Sequence, residues 1–116
     1  MANKEINPEY LVCPIRNVID KFGDKWSLLV LYELNINGTM RFNELHRSMT
    51  DCSQKMLSAT LKRLEQIRLV HRKVYAEVPP RVEYRLTETG QSLMPVVSQL
   101  IDWAKEHFDD VVKDIR

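Results

Sequence analysis

The chain has 116 residues, 44% hydrophobic and 28% charged, which suits one domain with its own core, spanning 1–116, and excludes a wholly disordered chain. Its net charge of +1 conceals a division: residues 1–40 carry 4 basic and 5 acidic side chains, residues 41–85 carry 10 and 5, and residues 86–116 carry 3 and 6. A basic middle third thus lies between more acidic ends, and it suggests one positively charged surface. The start, MANKEINPEY, lacks the apolar region of a signal peptide, and the longest apolar run, LLVLY at 28–32, is far too short for a bilayer. A cytoplasmic protein without membrane contact is expected, with Cys13 and Cys52 as reduced thiols.

After Pro14, residues Ile15, Val18, Ile19 and Phe22 recur at helical spacing until Gly23 stops the run in the manner of a C-terminal cap. Asp24 is placed to N-cap KWSLLVLYELN, which is apolar on almost every side through Trp26, Leu28, Leu29, Val30, Leu31, Tyr32 and Leu34, and is therefore the expected buried centre. INGT reads as a turn with its positive-φ position at Asn37-Gly38, MRF as a short strand, and NELHRSM as a brief helix. TDCS breaks the chain again. Ser53 then caps SQKMLSATLKRLEQI, in which Leu57, Leu61 and Leu64 share one face.

The period next changes to 2. LVHRKVY and VEYRL alternate as two strands, and AEVPPR between them is a hairpin loop in which Pro79-Pro80 cannot donate to the ladder. From Thr87-Glu88 onward a long helix carries the stripe Leu93, Val96, Val97, Leu100, Ile101, Ala104, Phe108, Val111 and Ile115, with Trp103 alongside.

Catalysis has no support in the motifs. His46, His71 and His107 are scattered, and there is no Cys-x-x-Cys, His-Glu-x-x-His, glycine-rich phosphate loop or nucleophile elbow. No metal and no cofactor is expected, and the histidines read as exposed or hydrogen-bonded side chains.

Helix, helix, turn, helix, helix, strand, projecting loop, strand, helix is the order of a winged helix-turn-helix. The expected fold is therefore α+β, mostly helical, with a two- to three-stranded β-wing and a long C-terminal helix. In this arrangement the second helix of the motif enters the DNA major groove, and phosphate contacts from the preceding helix and the hairpin hold its register. With Leu57 in the core, Lys55, Ser58, Ala59 and Lys62 point away from it, flanked by Gln54 and Arg63. Lysines meet phosphates or guanine edges, Gln54 and Ser58 hydrogen-bond base edges, and Ala59 allows close approach or touches a thymine methyl. Ser53 at the cap and Arg41 and Asn43 at the preceding helix join these candidates. Arg81, at or near the loop tip, either contacts the minor groove or its phosphates or is a surface arginine of a stiff hairpin.

The stretches CPIRNVIDKFGDKWSLLVLYEL, RFNEL, KMLSATLKRLE and VYAEVPPRVEYRLTETG resemble the HxlR family of bacterial transcriptional regulators, relatives of the MarR winged-helix proteins, from about Cys13 to Leu93. The resemblance implies a homodimeric DNA-binding regulator, often a repressor, acting on a palindromic operator, with residues 53–66 as recognition helix and 75–82 as wing. It implies dimerisation through the terminal helices, here through Leu93, Val97, Leu100, Ile101, Trp103, Ala104 and Phe108. The length of the last stripe agrees, since it exceeds what one small core needs. Two positions depart from the family pattern: Cys52 stands where an aliphatic residue is common, and Arg68 where glycine is common.

Cys13 precedes Pro14, at the start of the first helix, where orphan N–H groups and Arg16 favour a thiolate. Its other reading is a small buried hydrophobe. The resemblance adds that some relatives use a cysteine here to sense oxidants or electrophiles, in several cases through a disulfide between subunits. The competing readings of function are a winged-helix protein-interaction module and a regulator that answers to a small-molecule ligand.

Overall fold

The structure, a computed structural model, describes residues 14–112; Cys13 and Ile115 lie outside them. Helix α1 (Pro14–Phe22) opens on a proline, whose missing N–H is no loss in a first turn. At its end the Gly23 N–H donates to the Ile19 carbonyl. A Cβ at position 23 would overlap that oxygen and the Ile19 side chain. Close approach requires this glycine, not the positive φ of a cap, which among the glycines belongs to Gly38.

Helix α2 (Lys25–Asn37) is capped by Asp24, whose Oδ2 accepts the Ser27 N–H at 3.1 Å. The helix runs through Ile36 and Asn37, which the sequence places in a turn. Gly38 alone ends it, with φ 75° and its N–H on the Leu34 carbonyl. Val30, Leu31 and Leu34 are buried, while Leu29 and Ile36 are exposed. The central helix thus has an outer face, contrary to the all-round burial expected of its composition.

Strand β1 (Met40–Arg41) leads directly into α3 (Phe42–Ser48), and a turn connects this to α4 (Gln54–Gln66). Leu57, Leu61 and Leu64 of α4 are buried as expected. The helix ends in two bonds, from the Arg68 N–H to the Glu65 carbonyl and from the Leu69 N–H to the Leu64 carbonyl, each at 3.0 Å. This is a Schellman motif, and Arg68 adopts the left-handed conformation it needs, φ 65°. The missing glycine therefore leaves the cap in place.

Strands β2 (Val70–Tyr75) and β3 (Arg81–Leu86) form an antiparallel hairpin, and β1 completes a sheet of order β1-β3-β2. Thr87 joins hairpin to helix: its hydroxyl donates to the Arg68 carbonyl at 2.6 Å and accepts the Gly90 N–H at 3.0 Å. It thereby caps α5 (Glu88–Glu106). Gly90 is there because a Cβ would strike the Leu69 carbonyl.

The long C-terminal helix expected from the sequence is interrupted. His107 ends α5, with its backbone N–H on the Trp103 carbonyl, and a short α6 (Phe108–Val112) follows. The core lies between α2, α3, α4, the sheet and the inner side of α5. The radius of gyration is 16.3 Å, against about 13 Å for a compact domain of this length.

Candidate nucleic-acid interface

The turn between α3 and α4 is tightly fixed. Met49 and Cys52 are buried beneath it, the Cys52 N–H reaches the Met49 carbonyl at 3.0 Å, and His46 Nε2 donates to the Cys52 carbonyl at 3.0 Å. A carbonyl only accepts, so this nitrogen carries the proton. The Ser53 hydroxyl then accepts the Met56 N–H at 3.0 Å. A side chain held in this way positions α4 more than it contacts a ligand.

Gln54, Lys55, Ser58, Ala59 and Lys62 are all exposed on the side of α4 away from Leu57 and Leu61. Arg63 differs from expectation. Its Nη2 lies 3.0 Å from Asp24 Oδ1 and donates to the Ser27 hydroxyl at 2.9 Å, so it fastens α4 to the start of α2. Partial burial works against the Asp24 carboxylate, but hydrogen bonds from the Ser27 hydroxyl and N–H and the charge of Arg63 outweigh it. The net effect lowers the Asp24 pKa.

Arg41 and Asn43 are exposed at the start of α3, where the Arg41 N–H donates to the Glu44 carboxylate at 2.8 Å. Together with the wing loop they line a cleft of about 640 Å³. Arg81 is not at the tip of that loop. It is the first residue of β3, paired with Tyr75, and lies between Glu77 at 3.6 Å and Glu83 at 3.4 Å. Its guanidinium sits 4.0 Å above the Tyr75 ring, which Lys73 also approaches, at 4.9 Å. The tip is occupied by fully exposed Val78. Tyr75, Lys73 and Glu77 escaped the sequence reading because cross-strand register, which decides their contacts, is not visible in alternation alone.

The proposed dimer residues divide into two groups. Val97 is 2% exposed and belongs to the protomer's own core with Met94, which corrects its assignment to an interface. Leu93 and Ile101 are partly buried against the same core. Leu100, Trp103, Ala104 and Phe108 are exposed, as are Val96 and Val111. On α1, Ile15 is 70% exposed, and Val18 and Ile19 lie open beside it. Of the α1 stripe only Phe22 packs on the core, and α1 and the α5–α6 end of the chain each present apolar side chains that the protomer leaves uncovered.

Cys52 is buried, and desolvation, reinforced by the Asp51 charge against a smaller opposing effect of Lys25, pushes its thiol pKa up. Such a thiol is a poor nucleophile. Cys13 lies outside the described residues. Among the described residues no group of His, Cys, Asp and Glu could hold a metal ion, and no helix is long and apolar enough to cross a membrane.

The sequence matches the HxlR-like helix-turn-helix family over residues 21–112. It is 38% identical over 118 residues to the HTH-type transcriptional regulator YdeP of Bacillus subtilis, with 97% of this chain and 91% of that protein covered. The fold is similar to that of the redox regulator HypR in its reduced form, with a TM-score of 0.78, 41% identity, and coverage of 84% of this chain and 96% of that one. It is also similar to the reduced transcriptional regulator YodB of B. subtilis, with a TM-score of 0.68, 33% identity, and coverage of 88% and 94%. The chain belongs to the HxlR family of DNA-binding helix-turn-helix transcriptional regulators.

Proposed function

We propose that this HxlR-family regulator works in the cytoplasm as a homodimer, a single domain per chain, that represses transcription by holding a palindromic operator. The outward face of α4 carries this reading: Gln54, Lys55, Ser58, Ala59 and Lys62 stand exposed on a helix capped at both ends and seated on the core. Lys55 and Lys62 meet phosphates or guanine edges, Gln54 and Ser58 meet base edges, and Ala59 allows close approach. Arg41 and Asn43 contact phosphates beside α3. Ser53 and Arg63 position α4 through the bonds described above, and Arg81 braces the wing against Tyr75 before any contact with DNA.

Pairing through Leu100, Trp103, Ala104 and Phe108, with Val96, Val111 and the α1 residues Ile15, Val18 and Ile19, would cover these open apolar side chains and duplicate α4 about a two-fold axis. Footprinting on DNA upstream of its own gene tests the reading. Two protected half-sites, about one helical turn or a multiple apart, are expected; a single asymmetric site, or none, would count against it.

A second reading concerns the signal. Cys13 adjoins the first residue of α1 in sequence, Cys52 is buried, and two similar structures are of a redox regulator, HypR, in its oxidised form and of YodB after diamide treatment. An oxidant or electrophile reacting at Cys13 would alter how the protomers pair and release DNA. If a Cys13→Ser protein leaves its operator on diamide addition as readily as the wild type, Cys13 is not the switch.

A further inference from the structure

Register places Arg72 of β2 opposite Tyr84 of β3, two residues along from Val70 and therefore on the same face of the sheet. Val70 is buried, so alternation assigns Arg72 to an inward position. Arg72 is nonetheless exposed, because beyond Val70 the sheet stands beside α4 without closing over it. Arg72 and Tyr84 from the sheet, and Ser58, Lys62 and Glu65 from α4, line one open cleft of about 340 Å³.

The cleft holds two cations against one carboxylate, with two hydroxyls as further donors. None of the ion pairs formed among the described residues falls within it. On the opposite flank of α4, Arg63 is committed to Asp24 and Ser27. Available positive charge is therefore displaced towards the sheet side of the helix, and Lys62 and Arg72 flank the same space. A planar guanidinium offers paired donors and a lysine offers a point charge, a combination suited to an anionic tetrahedral group.

We propose that this cleft seats one backbone phosphate of the operator, held between Lys62 and Arg72 with the Tyr84 hydroxyl in support. Arg72 is then a DNA-binding residue, and α4 and the base of the wing grip the same strand from two sides. Glu65 opposes the phosphate and limits affinity for DNA of any sequence. This inference rests on the DNA-binding reading above, and the test separates the two.

The full chain is titrated with operator duplex at several salt concentrations, as wild type, Arg72→Ala, Arg72→Lys, Glu65→Gln and Lys55→Ala. Arg72→Ala should weaken binding about tenfold and reduce the slope of log K against log salt by about one, equally on operators with altered bases. Arg72→Lys should restore the slope, and Glu65→Gln should tighten binding. Thermal melting checks that each variant is folded. Unchanged affinity and slope in Arg72→Ala, while Lys55→Ala loses binding, would overturn the phosphate seat and leave the DNA-binding reading intact. A loss confined to particular base pairs would overturn it in favour of base contact. Failure of the wild type to bind any duplex would overturn both.

Discussion

Arg63 on α4 and Asp24 at the cap of α2 meet at 3.0 Å across 39 residues of sequence. The proposed recognition helix is thereby tied to the central helix through the residue that starts it. The carboxylate also accepts the Ser27 hydroxyl at 2.6 Å, so cap and pair form one unit.

The Asp24 pKa is lowered in the folded chain, so its stabilising effect is complete above the ordinary carboxyl value of about 3.9 and is lost as pH falls through the lower folded value. Asp24→Ala should cost about 1 kcal/mol at neutral pH, mostly through the cap, since the partly exposed pair adds little. Urea unfolding of both proteins at pH 7 and pH 3 checks this. The gap should narrow at the lower pH; an equal gap at both would show that ionised Asp24 is not its source.

Gly90→Ala should be severe. The added methyl meets the Leu69 carbonyl, at the point where Thr87 binds the turn after α4 to the start of α5. A loss of about 2–4 kcal/mol is expected from this overlap, read as a fall in melting temperature. Near-wild-type melting would mean that the turn yields without cost.

Arg68→Gly should stabilise. The left-handed φ of 65° costs a residue with a side chain about 1–2 kcal/mol, and glycine's greater freedom when unfolded returns about 0.5–1 kcal/mol of that. The net gain should be about 0–1.5 kcal/mol in chemical denaturation; a loss would point to a contact of the Arg68 side chain that outweighs the strain.

On α5, a paired change to Leu100→Glu and Trp103→Glu should leave the protomer folded and shift sedimentation from dimer to monomer. Val97→Ala, only a few residues away, should lower stability by about 2 kcal/mol through its buried position and leave the assembly state alone. Sedimentation and melting measured on both proteins separate interface from core; the reverse pattern would refute the division.

Helix starts were legible because their causes are local: Asp24, Ser53 and Thr87 each accept a backbone N–H three residues on. The hairpin and the buried face of α4 were legible for the same reason, through period and proline. What escaped depends on packing between elements. Val97 and Leu100 share one stripe in sequence, yet only the first meets the core. Arg63 looks like a flank of the DNA face until α2 comes beside it. Arg81 follows two prolines, and only strand register shows that it lies within β3, opposite Tyr75. His107 interrupts the last helix where its backbone leaves helical geometry, at φ −109° and ψ 17°, and its Nδ1 adds a second bond to the Trp103 carbonyl at 3.0 Å, a break that hydrophobic spacing does not announce.

The most direct test of the central claim, that the outward face of α4 reads DNA, is the salt dependence of operator binding in the Lys55→Ala, Lys62→Ala double variant. Removing two cations from that face should reduce affinity roughly a hundredfold and lower the salt slope by about two, with melting unchanged. Binding curves that superimpose on the wild type at every salt concentration would contradict the account.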